Sequence, residues 1–278
     1  MTIKQALTQY QGIETDLLLA HILKQPKEFL FLHPEKELMT EQMRKFTNFA
    51  KRRLKGEPIA YILGYKYFYG LKFKVNKDVL IPRPETESLV EHAILFIKKS
   101  PQPVKVLDLG TGSGCIAISL AKNLPKRKVK IYASDISSKA LVVAKTNARL
   151  HKANIKFIRS DLLEQLKNED FDLIIANLPY GWAEWKNNSE AETIGLSYEP
   201  KQALFTGKQG LALIEKLLRQ IKQMKKAPIV LLEFDPRQKA KLQAIAQKLL
   251  PPLKINFFKD YRGLWRYAEV VLRRSKSQ

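Results

Sequence analysis

The part of the chain that most constrains the fold begins after Pro103, where short apolar segments alternate with amphipathic ones. Such alternation is typical of a doubly wound α/β domain, in which helices connect parallel strands and cover both faces of the sheet. Helices are predicted over residues 114–123, 137–150, 210–225 and 236–249. Seven strands are predicted, at Val104–Leu109, Lys130–Asp135, Ile155–Asp161, Phe171–Asn177, Pro228–Phe234, Leu253–Asp260 and Arg266–Leu272. The link around Gly263 is too short for a helical crossover, so we expect the last strand to run antiparallel.

Residues 1 to about 56 have the apolar spacing of helices. Thr15–Leu23 is an apolar run with a polar start, and Thr40 precedes apolar residues that recur at helical intervals. Gly56 and Pro58 are typical of the end of a helix. We therefore predict a small N-terminal helical domain over residues 1–57.

The segment from Ile59 to Ile81 is rich in aromatic and β-branched residues, and Gly70 can form a turn within it. It is interpreted as a β-hairpin linker over residues 58–81, which precedes a main domain over residues 82–278. Lysines among the aromatic residues would also suit a platform on which nucleic acid bases stack. Packing of the hairpin against a neighbouring domain is the favoured interpretation. A helix from about Pro84 to Lys99 is expected to follow.

The chain is strongly basic, with 49 lysines and arginines against 27 acidic residues and a formal net charge of +22. Such an excess favours nucleic acid or another anionic partner. The excess is +6 over residues 1–75 and +16 over residues 76–278, so it is spread over the whole chain. Charge distributed in this way attracts an acidic protein or RNA in general but selects neither.

The single cysteine, Cys115, excludes a disulfide framework, a four-cysteine zinc site and an iron–sulfur cluster, and no metal site is predicted. The sequence contains no apolar stretch near the ~18 residues of a membrane span. Met1–Leu7 lacks the apolar core of a signal peptide. These features lead us to expect a soluble cytoplasmic monomer with no membrane partner.

A glycine-rich turn follows the first strand of the main domain. Gly110, Gly112 and Gly114 allow the backbone to turn sharply and to approach a ligand closely, with Thr111 and Ser113 between them. The fingerprint of dinucleotide-binding proteins requires its third glycine at position 115, where this chain has cysteine. A pyrophosphate cofactor is therefore disfavoured. Asp108, directly before the turn, would repel phosphate but attract an ammonium group.

Two more carboxylates end the next two strands. Asp135 ends the second strand, 21 residues after Gly114, where an acidic side chain can accept hydrogen bonds from ribose hydroxyls. Asp161 ends the third strand at the same edge of the sheet. Three such carboxylates suit a ligand that joins a ribose to a cationic group, as S-adenosylmethionine does. The alternative for Asp135 is a purely structural cap of the helix that follows Ser137.

The fourth strand ends at a short polar corner formed by Asn177, Leu178, Pro179 and Tyr180. Because strand four lies beside strand one at the switch point of a doubly wound sheet, Asn177 is expected to face the glycine turn. The Asn177 side-chain oxygen and the Leu178 carbonyl can accept hydrogen bonds from both N–H groups of a planar nitrogen. Pro179 stiffens the corner, and Tyr180 can stack on a planar group. The pattern predicts methyl transfer to an amide or amino nitrogen.

The glycine turn and this corner resemble class I S-adenosylmethionine-dependent methyltransferases that act on nitrogen. Further segments resemble the HemK/PrmC family, and residues 56–87 are the most specific of them. These segments are Gly-Glu-Pro-Ile-Ala-Tyr-Ile-Leu-Gly at 56–64, Leu-Ile-Pro-Arg-Pro-Glu-Thr-Glu at 80–87, Tyr-Glu-Pro at 198–200 with Ala203, Leu204, Gly207, Gly210 and Leu211, and the later residues Glu233, Gln238, Asp260, Gly263 and Arg266. The resemblance implies a Rossmann-like seven-stranded sheet, with its last strand antiparallel, and a small N-terminal helical domain.

The resemblance also implies an activity. Members of the family transfer the methyl group of S-adenosylmethionine to the side-chain amide nitrogen of the glutamine in the Gly-Gly-Gln motif of class 1 peptide-chain release factors. S-adenosylhomocysteine is the second product. The release factor would be the partner of this chain and would dock on its N-terminal domain. Proximity of the ribosome during the reaction is compatible with this partner.

Carried over residue by residue, the resemblance places the methionine part of the cofactor at the glycine turn and its ribose at Asp135. Asp161 and Leu162 would flank the adenine. The substrate amide would be held by Asn177, Leu178, Pro179 and Tyr180. The family usually has proline at position 178, where this chain has leucine.

Two other hypotheses are compatible with parts of this pattern. The Asn-Leu-Pro-Tyr corner is also usual in ribosomal RNA adenine dimethyltransferases, so N6-adenine methylation of ribosomal RNA or another nucleic acid is the second hypothesis. Those enzymes place their extra domain after the methyltransferase domain and lack the motif at residues 81–87. The third hypothesis, a cofactor-binding module that docks on ribosomes without catalysis, is disfavoured by the intact Asn177 corner.

Overall fold

The computed structural model describes residues 1–10, 14–125, 127–182, 194–250 and 253–272. These residues form two compact units. The first unit comprises 1–65, apart from 11–13, together with 194–198, and the second comprises 66–182 and the described residues from 199 onward. No helix among the described residues is long and apolar enough to cross a membrane.

The first unit consists of short helices packed around a small apolar core. Ile3, Leu18, Leu19 and Phe46 are fully or almost fully buried in this core. An ion pair of 2.7 Å between Arg53 and Glu14 lies at its edge. The helices are α1 (Ile3–Gln9), α2 (Thr15–Leu23), α3 (Lys27–Leu32), α4 (Thr40–Leu54) and α5 (Ile59–Leu63). The predicted helical character of the N-terminal region is confirmed.

The expected extent of the β-hairpin is wrong at its start. Residues 59–63 form helix α5, which follows Pro58 and ends at Gly64 in the left-handed conformation (φ 78°). A proline before the first turn and a left-handed glycine after the last are ordinary helix boundaries, and they outweigh the strand preference of these five residues. The hairpin is therefore confined to β1 (Tyr65–Phe68) and β2 (Leu71–Lys74).

The second unit contains a seven-stranded sheet within its described residues. Its spatial order is β5–β4–β3–β6–β7–β9–β8. β3 is the first strand of this sheet along the chain, and the order reverses between β3 and β6. The strands are β3 (Val104–Leu109), β4 (Val129–Asp135), β5 (Lys156–Arg159), β6 (Leu173–Ala176), β7 (Ile229–Glu233), β8 (Leu253–Lys259) and β9 (Trp265–Leu272). β9 runs antiparallel to both of its neighbours, and the other pairs are parallel. The predicted doubly wound sheet with an antiparallel last strand is confirmed.

Helices cover both faces of this sheet. The longer ones are α6 (Thr86–Lys99), α7 (Cys115–Asn123), α8 (Ser138–Leu150), α10 (Ala212–Lys222) and α11 (Lys239–Leu249), and α9 (Lys201–Leu204) is a single turn. One apolar layer combines sheet residues with helices α6 and α7 and with the buried hairpin side chains Phe68 and Phe73. The opposite layer combines the other sheet face with α10 and α11. The hairpin aromatic rings thus pack into the core, which supports packing over a base-stacking platform.

Candidate active site

A cavity of about 300 Å³ lies at the carboxyl ends of the central strands. Gly110 follows β3 and Asn177 follows β6, and the two strands are paired so that Leu109 lies opposite Ala176. Gly110 and Asn177 both line the cavity, which is therefore at the point where the strand order reverses. Ligands of open α/β sheets bind in crevices of this kind.

The glycine turn presents its backbone to this cavity. Gly110 and Gly112 line it, and both have positive φ angles, of 74° and 53°. A side chain at Gly112 would extend into open space, so the glycine leaves room for a ligand to approach the backbone there. Thr111, Ser113 and Gly114 belong to the same turn but do not line the cavity.

Asp108 lies behind the turn rather than in the cavity. It is fully buried, and its Oδ2 accepts hydrogen bonds from the Thr111 hydroxyl at 2.6 Å and from the Ala117 backbone N–H at 3.1 Å. Burial raises the pKa of Asp108 to about 7. Its Oδ1 has no hydrogen-bond partner among the described residues. The geometry therefore shows Asp108 bracing the turn and the start of α7, while its expected role toward a cationic ligand remains a prediction.

Asp135 connects the turn to the rim of the cavity. Its Oδ2 accepts from the Gly112 N–H at 2.9 Å and its Oδ1 from the Ser137 N–H at 2.9 Å. Burial raises the pKa of Asp135 above its ordinary value, although these backbone hydrogen bonds oppose the shift. Asp135 lines the cavity, where its oxygens retain further lone pairs for ligand hydroxyls.

Asp161 and Leu162 form another side of the same cavity. Asp161 forms an ion pair of 2.7 Å with Lys216, which holds its carboxylate toward helix α10. Leu162 is buried and has a φ of 52°, a left-handed conformation that leucine rarely adopts. The Ser160 hydroxyl donates to the Leu162 carbonyl at 2.6 Å and stabilises this bend. Strained residues of this kind cluster at ligand sites.

The corner after β6 brings Asn177, Leu178 and Pro179 to the cavity wall. The Asn177 Nδ2 donates a hydrogen bond to the Thr86 hydroxyl oxygen at 3.0 Å. Leu178 is buried, and its side chain fills the space that a Cβ at Gly110 would enter, at 3.1 Å. Leucine at position 178 therefore packs directly against the glycine turn.

Tyr180 is not among the residues that line the cavity. Its hydroxyl donates to Glu233 Oε1 at 3.1 Å. Burial raises the pKa of Tyr180 well above its ordinary value, and the charge of Glu233 adds to the shift. Glu233 ends β7 and is fully buried, and burial raises its pKa to about 7 against the opposing hydrogen bond from Thr86.

The backbone of the corner is held by Gln238. Its Nε2 donates to the Tyr180 carbonyl and to the Gln209 carbonyl, each at 2.8 Å. Gly210 packs so closely here that a Cβ would lie 1.9 Å from the Tyr180 carbonyl oxygen. Together with Thr86 and Glu233, these residues hold the corner from three segments of the chain: the start of α6, residues 209–210 and residues 233–238.

The residues of the cavity fit a ligand with a ribose and a cationic group. Open space at Gly112 admits a ligand against the backbone, and Asp135 places a carboxylate beside it. Eight of the residues predicted for the site line one cavity, namely Gly110, Gly112, Asp135, Asp161, Leu162, Asn177, Leu178 and Pro179. The other five, Asp108, Thr111, Ser113, Gly114 and Tyr180, do not line it.

Several residues of the site were assigned no role from the sequence, although Leu80, Thr86, Pro200, Ala203 and Glu233 belong to the segments that carry the family resemblance. Val79 and Leu80 line the cavity on one side, and Pro200, Ala203 and Phe205 line it on another. Thr86 and Glu233 hold the corner. The strand-end argument that placed Asn177 also explains the position of Glu233, because β7 is paired parallel to β6.

Two family models match the chain. The model described as the PrmC N-terminal domain matches residues 2–64, and the methyltransferase small domain model matches residues 89–194. A methyltransferase from Pyrococcus furiosus has a related solved structure, with a TM-score of 0.51 and 18% identity, covering 81% of this chain and 97% of that chain. At this identity the structural likeness concerns the fold alone.

Curated relatives cover most of the chain at higher identity. A protein of Koribacter versatilis named release factor glutamine methyltransferase is 38% identical over 236 residues, which is 80% of this chain and 81% of the relative. One of the same name from Lactococcus lactis subsp. lactis is 38% identical over 242 residues, covering 86% of this chain and 87% of the relative. The chain is a S-adenosylmethionine-dependent methyltransferase and belongs to the family of release factor glutamine methyltransferases.

Proposed function

We propose that the chain methylates the side-chain amide nitrogen of the glutamine in the Gly-Gly-Gln motif of class 1 peptide-chain release factors. The observation that carries this proposal is the juxtaposition of Asn177 with the glycine turn in one cavity. The names of relatives that match over four fifths of the chain support the same substrate.

The cavity residues divide between cofactor and substrate in this proposal. The turn that contains Gly110 and Gly112 would hold the methionine part of the cofactor, and Asp135 would accept from the ribose hydroxyls; all three residues line the cavity. Asp161 and Leu162 flank the adenine. When bound, S-adenosylmethionine supplies a methyl group on a sulfonium, which makes that carbon electrophilic.

Asn177 and Leu178 prepare the amide for reaction. The Asn177 Nδ2 is taken by Thr86, which leaves Oδ1 for a substrate N–H, and the Leu178 carbonyl accepts the other N–H. Two acceptors on one amide nitrogen orient it and favour the pyramidal form, whose lone pair is available for attack. Bound S-adenosylmethionine would supply the methyl group: the amide nitrogen held by Asn177 and Leu178 would gain an N–C bond as the S–C bond breaks, and one N–H proton would leave to solvent. The chain supplies position rather than a strong base.

The proposal also includes a helical N-terminal domain, a hairpin that begins at Tyr65, and a main domain. The helical unit that includes residues 14–65 matches the model of a PrmC N-terminal domain, which supports a role in docking the release factor. The high positive charge of the chain supports attraction to an acidic partner near ribosomal RNA. We also propose that the protein acts as a cytoplasmic monomer.

Labelling with methyl-labelled S-adenosylmethionine tests the substrate. The full chain is incubated separately with a class 1 release factor and with ribosomal RNA. Label is expected in the release factor and should disappear when the glutamine of its Gly-Gly-Gln motif is replaced by alanine. Label found only in RNA would overturn the proposal in favour of adenine methylation.

Substitution of Asn177 tests its role separately. Asn177→Ala is expected to keep its affinity for the cofactor, measured by calorimetry, while kcat falls by about 10²-fold. Asn123→Ala, which changes an exposed asparagine at the end of α7, is the matched control and should behave like the wild type. Equal losses of cofactor affinity and turnover in Asn177→Ala would contradict the assignment.

A further inference from the structure

The side-chain amide of Asn177 can present either of two opposite groups to the cavity. Its Oδ1 accepts hydrogen bonds and its Nδ2 donates them, while the two ends have almost the same shape. Only Oδ1 can hold the N–H of a substrate amide. The groups that fix the orientation of this side chain therefore decide what the corner recognises.

Thr86 is the partner that fixes the amide. Its hydroxyl oxygen accepts from Nδ2 at 3.0 Å, and the residue is only 2% exposed, so water competes little for this contact. A threonine hydroxyl has one proton. If that proton is donated to another group, the oxygen is left as an acceptor and Nδ2 must point toward it.

Glu233 is placed to take the proton of Thr86. The Thr86 hydroxyl is close enough to the Glu233 carboxyl group to oppose the rise in the pKa of Glu233, and Tyr180 donates to Oε1 at 3.1 Å. Its Oε2 is buried and has no hydrogen-bond partner in the part of the chain that the structure describes, so it is available to accept a proton from Thr86. Glu233 thus binds Tyr180 directly and lies near Thr86, the partner of Asn177.

We propose that Thr86 and Glu233 are positioning residues that hold the Asn177 amide with its oxygen toward the substrate. In its ionised form Glu233 accepts from Thr86, Thr86 accepts from Asn177 Nδ2, and Asn177 Oδ1 is left to accept from the reacting nitrogen. Neither Thr86 nor Glu233 touches the reacting atoms. The identity of the substrate rests on the function proposed above, whereas the orientation of the amide does not.

This arrangement also gives the corner its specificity. A glutamine amide offers two N–H donors to Asn177 Oδ1 and the Leu178 carbonyl. A glutamate carboxylate of the same shape would bring oxygen against oxygen and is rejected, because buried acceptors would be left unpaired. A release factor with Gly-Gly-Glu in place of Gly-Gly-Gln should therefore compete poorly for the site.

Three variants of the full chain test the positioning role. Thr86→Val keeps the shape of the side chain but neither donates nor accepts, so kcat is expected to fall by about 10²-fold while the affinity for S-adenosylmethionine stays near that of the wild type. Thr86→Ser retains the hydroxyl and should restore most of kcat. Ser119→Ala removes a buried hydroxyl that has no partner among the described residues, and it should leave kcat unchanged. Folded Thr86→Val with the kcat of the wild type would overturn the proposal.

A second measurement needs neither a substrate nor a folded Thr86 variant. In the wild-type chain labelled with ¹⁵N-asparagine, the Nδ2 protons of Asn177, assigned by their loss in Asn177→Ala, should exchange with solvent much more slowly than those of the exposed Asn154. Exchange as fast as that of Asn154 would refute the bond to Thr86. If the wild type labels no release factor, the proposed function fails, while slow exchange still establishes the orientation.

Discussion

The Glu199 carboxylate binds the Arg83 guanidinium at 2.6 Å, and through its other oxygen it accepts the backbone N–H of Ile81 at 2.9 Å. Glu199 is only 4% exposed. The contact joins two segments far apart in the chain, and each continues into the cavity wall, at residues 78–80 and at 200–205. The motif at residues 81–87 thus has a structural purpose: it closes the wall of the site.

Glu199→Gln should destabilise the protein and loosen the cavity. The variant leaves Arg83 largely buried without its counter-charge, which costs about 3 kcal/mol of unfolding free energy. Urea unfolding measures this loss, and calorimetry should show weaker binding of S-adenosylmethionine. Glu41→Gln breaks the exposed pair with Arg44 and is the control that should leave both quantities unchanged. Equal effects of the two substitutions would show that the contact does not support the cavity.

The central part of the site could be predicted because it depends on strand order. Gly110 and Asn177 both follow strands of the alternating pattern, and parallel strands place their carboxyl ends at one edge. The position of Asp108 could not be predicted, because its place in the strand does not reveal whether its carboxylate points into the cavity or behind the turn. In the structure it is fully buried behind the turn.

The supports of the corner were beyond sequence reasoning for a different reason. Thr86 lies 91 residues before Asn177, in the first turn of α6. A threonine at that position is also common simply because threonine favours the start of a helix. The contact between Thr86 and Asn177 depends on how α6 packs against the sheet, and no local sequence pattern encodes that packing. Helix α5 was missed because five apolar residues fit a strand or a helix equally well, although Pro58 and Gly64 mark its ends.

Asp135→Asn should weaken cofactor binding more than catalysis. The carboxylate already accepts from Gly112 and Ser137, and an amide has only one oxygen with which to replace both acceptors. We expect the dissociation constant of S-adenosylmethionine to rise about tenfold, with kcat at saturating cofactor close to that of the wild type. Asp170→Asn changes an exposed carboxylate and is the calorimetric control. An unchanged affinity in Asp135→Asn would refute the ribose assignment.

The stability of the protein should fall as pH rises from about 4.5 to 7. Asp108 and Glu233 are buried, and burial raises the pKa of each to about 7 in the folded chain. In this range the folded protein retains protons that the unfolded chain has lost, so raising the pH favours unfolding by about 1 kcal/mol per unit for each group. Urea unfolding at pH 5, 6 and 7 measures the slope.

Glu233→Gln and Asp108→Asn should each reduce that slope, because each removes one titrating group. Asp170→Asn, which alters an exposed carboxylate, should retain the slope of the wild type. A slope that neither buried substitution changes would show that the two carboxyl groups titrate normally in the folded chain.

Gly210→Ala should disable the corner, whereas Gly263→Ala should not. Both glycines have positive φ angles, of 82° and 78°, so both substitutions carry a similar backbone strain of about 1 kcal/mol. They differ in their surroundings: a Cβ at Gly210 would lie 1.9 Å from the Tyr180 carbonyl oxygen and 2.3 Å from Gln238 Nε2, whereas a Cβ at Gly263 meets no atom within 4 Å. Gly210→Ala must therefore displace the backbone that follows Asn177, and kcat should fall by about 10²-fold. Thermal unfolding of both variants measures the strain separately from the loss of activity. If Gly210→Ala and Gly263→Ala lost equal activity at equal stability, the contact of Gln238 with Tyr180 would not position the corner.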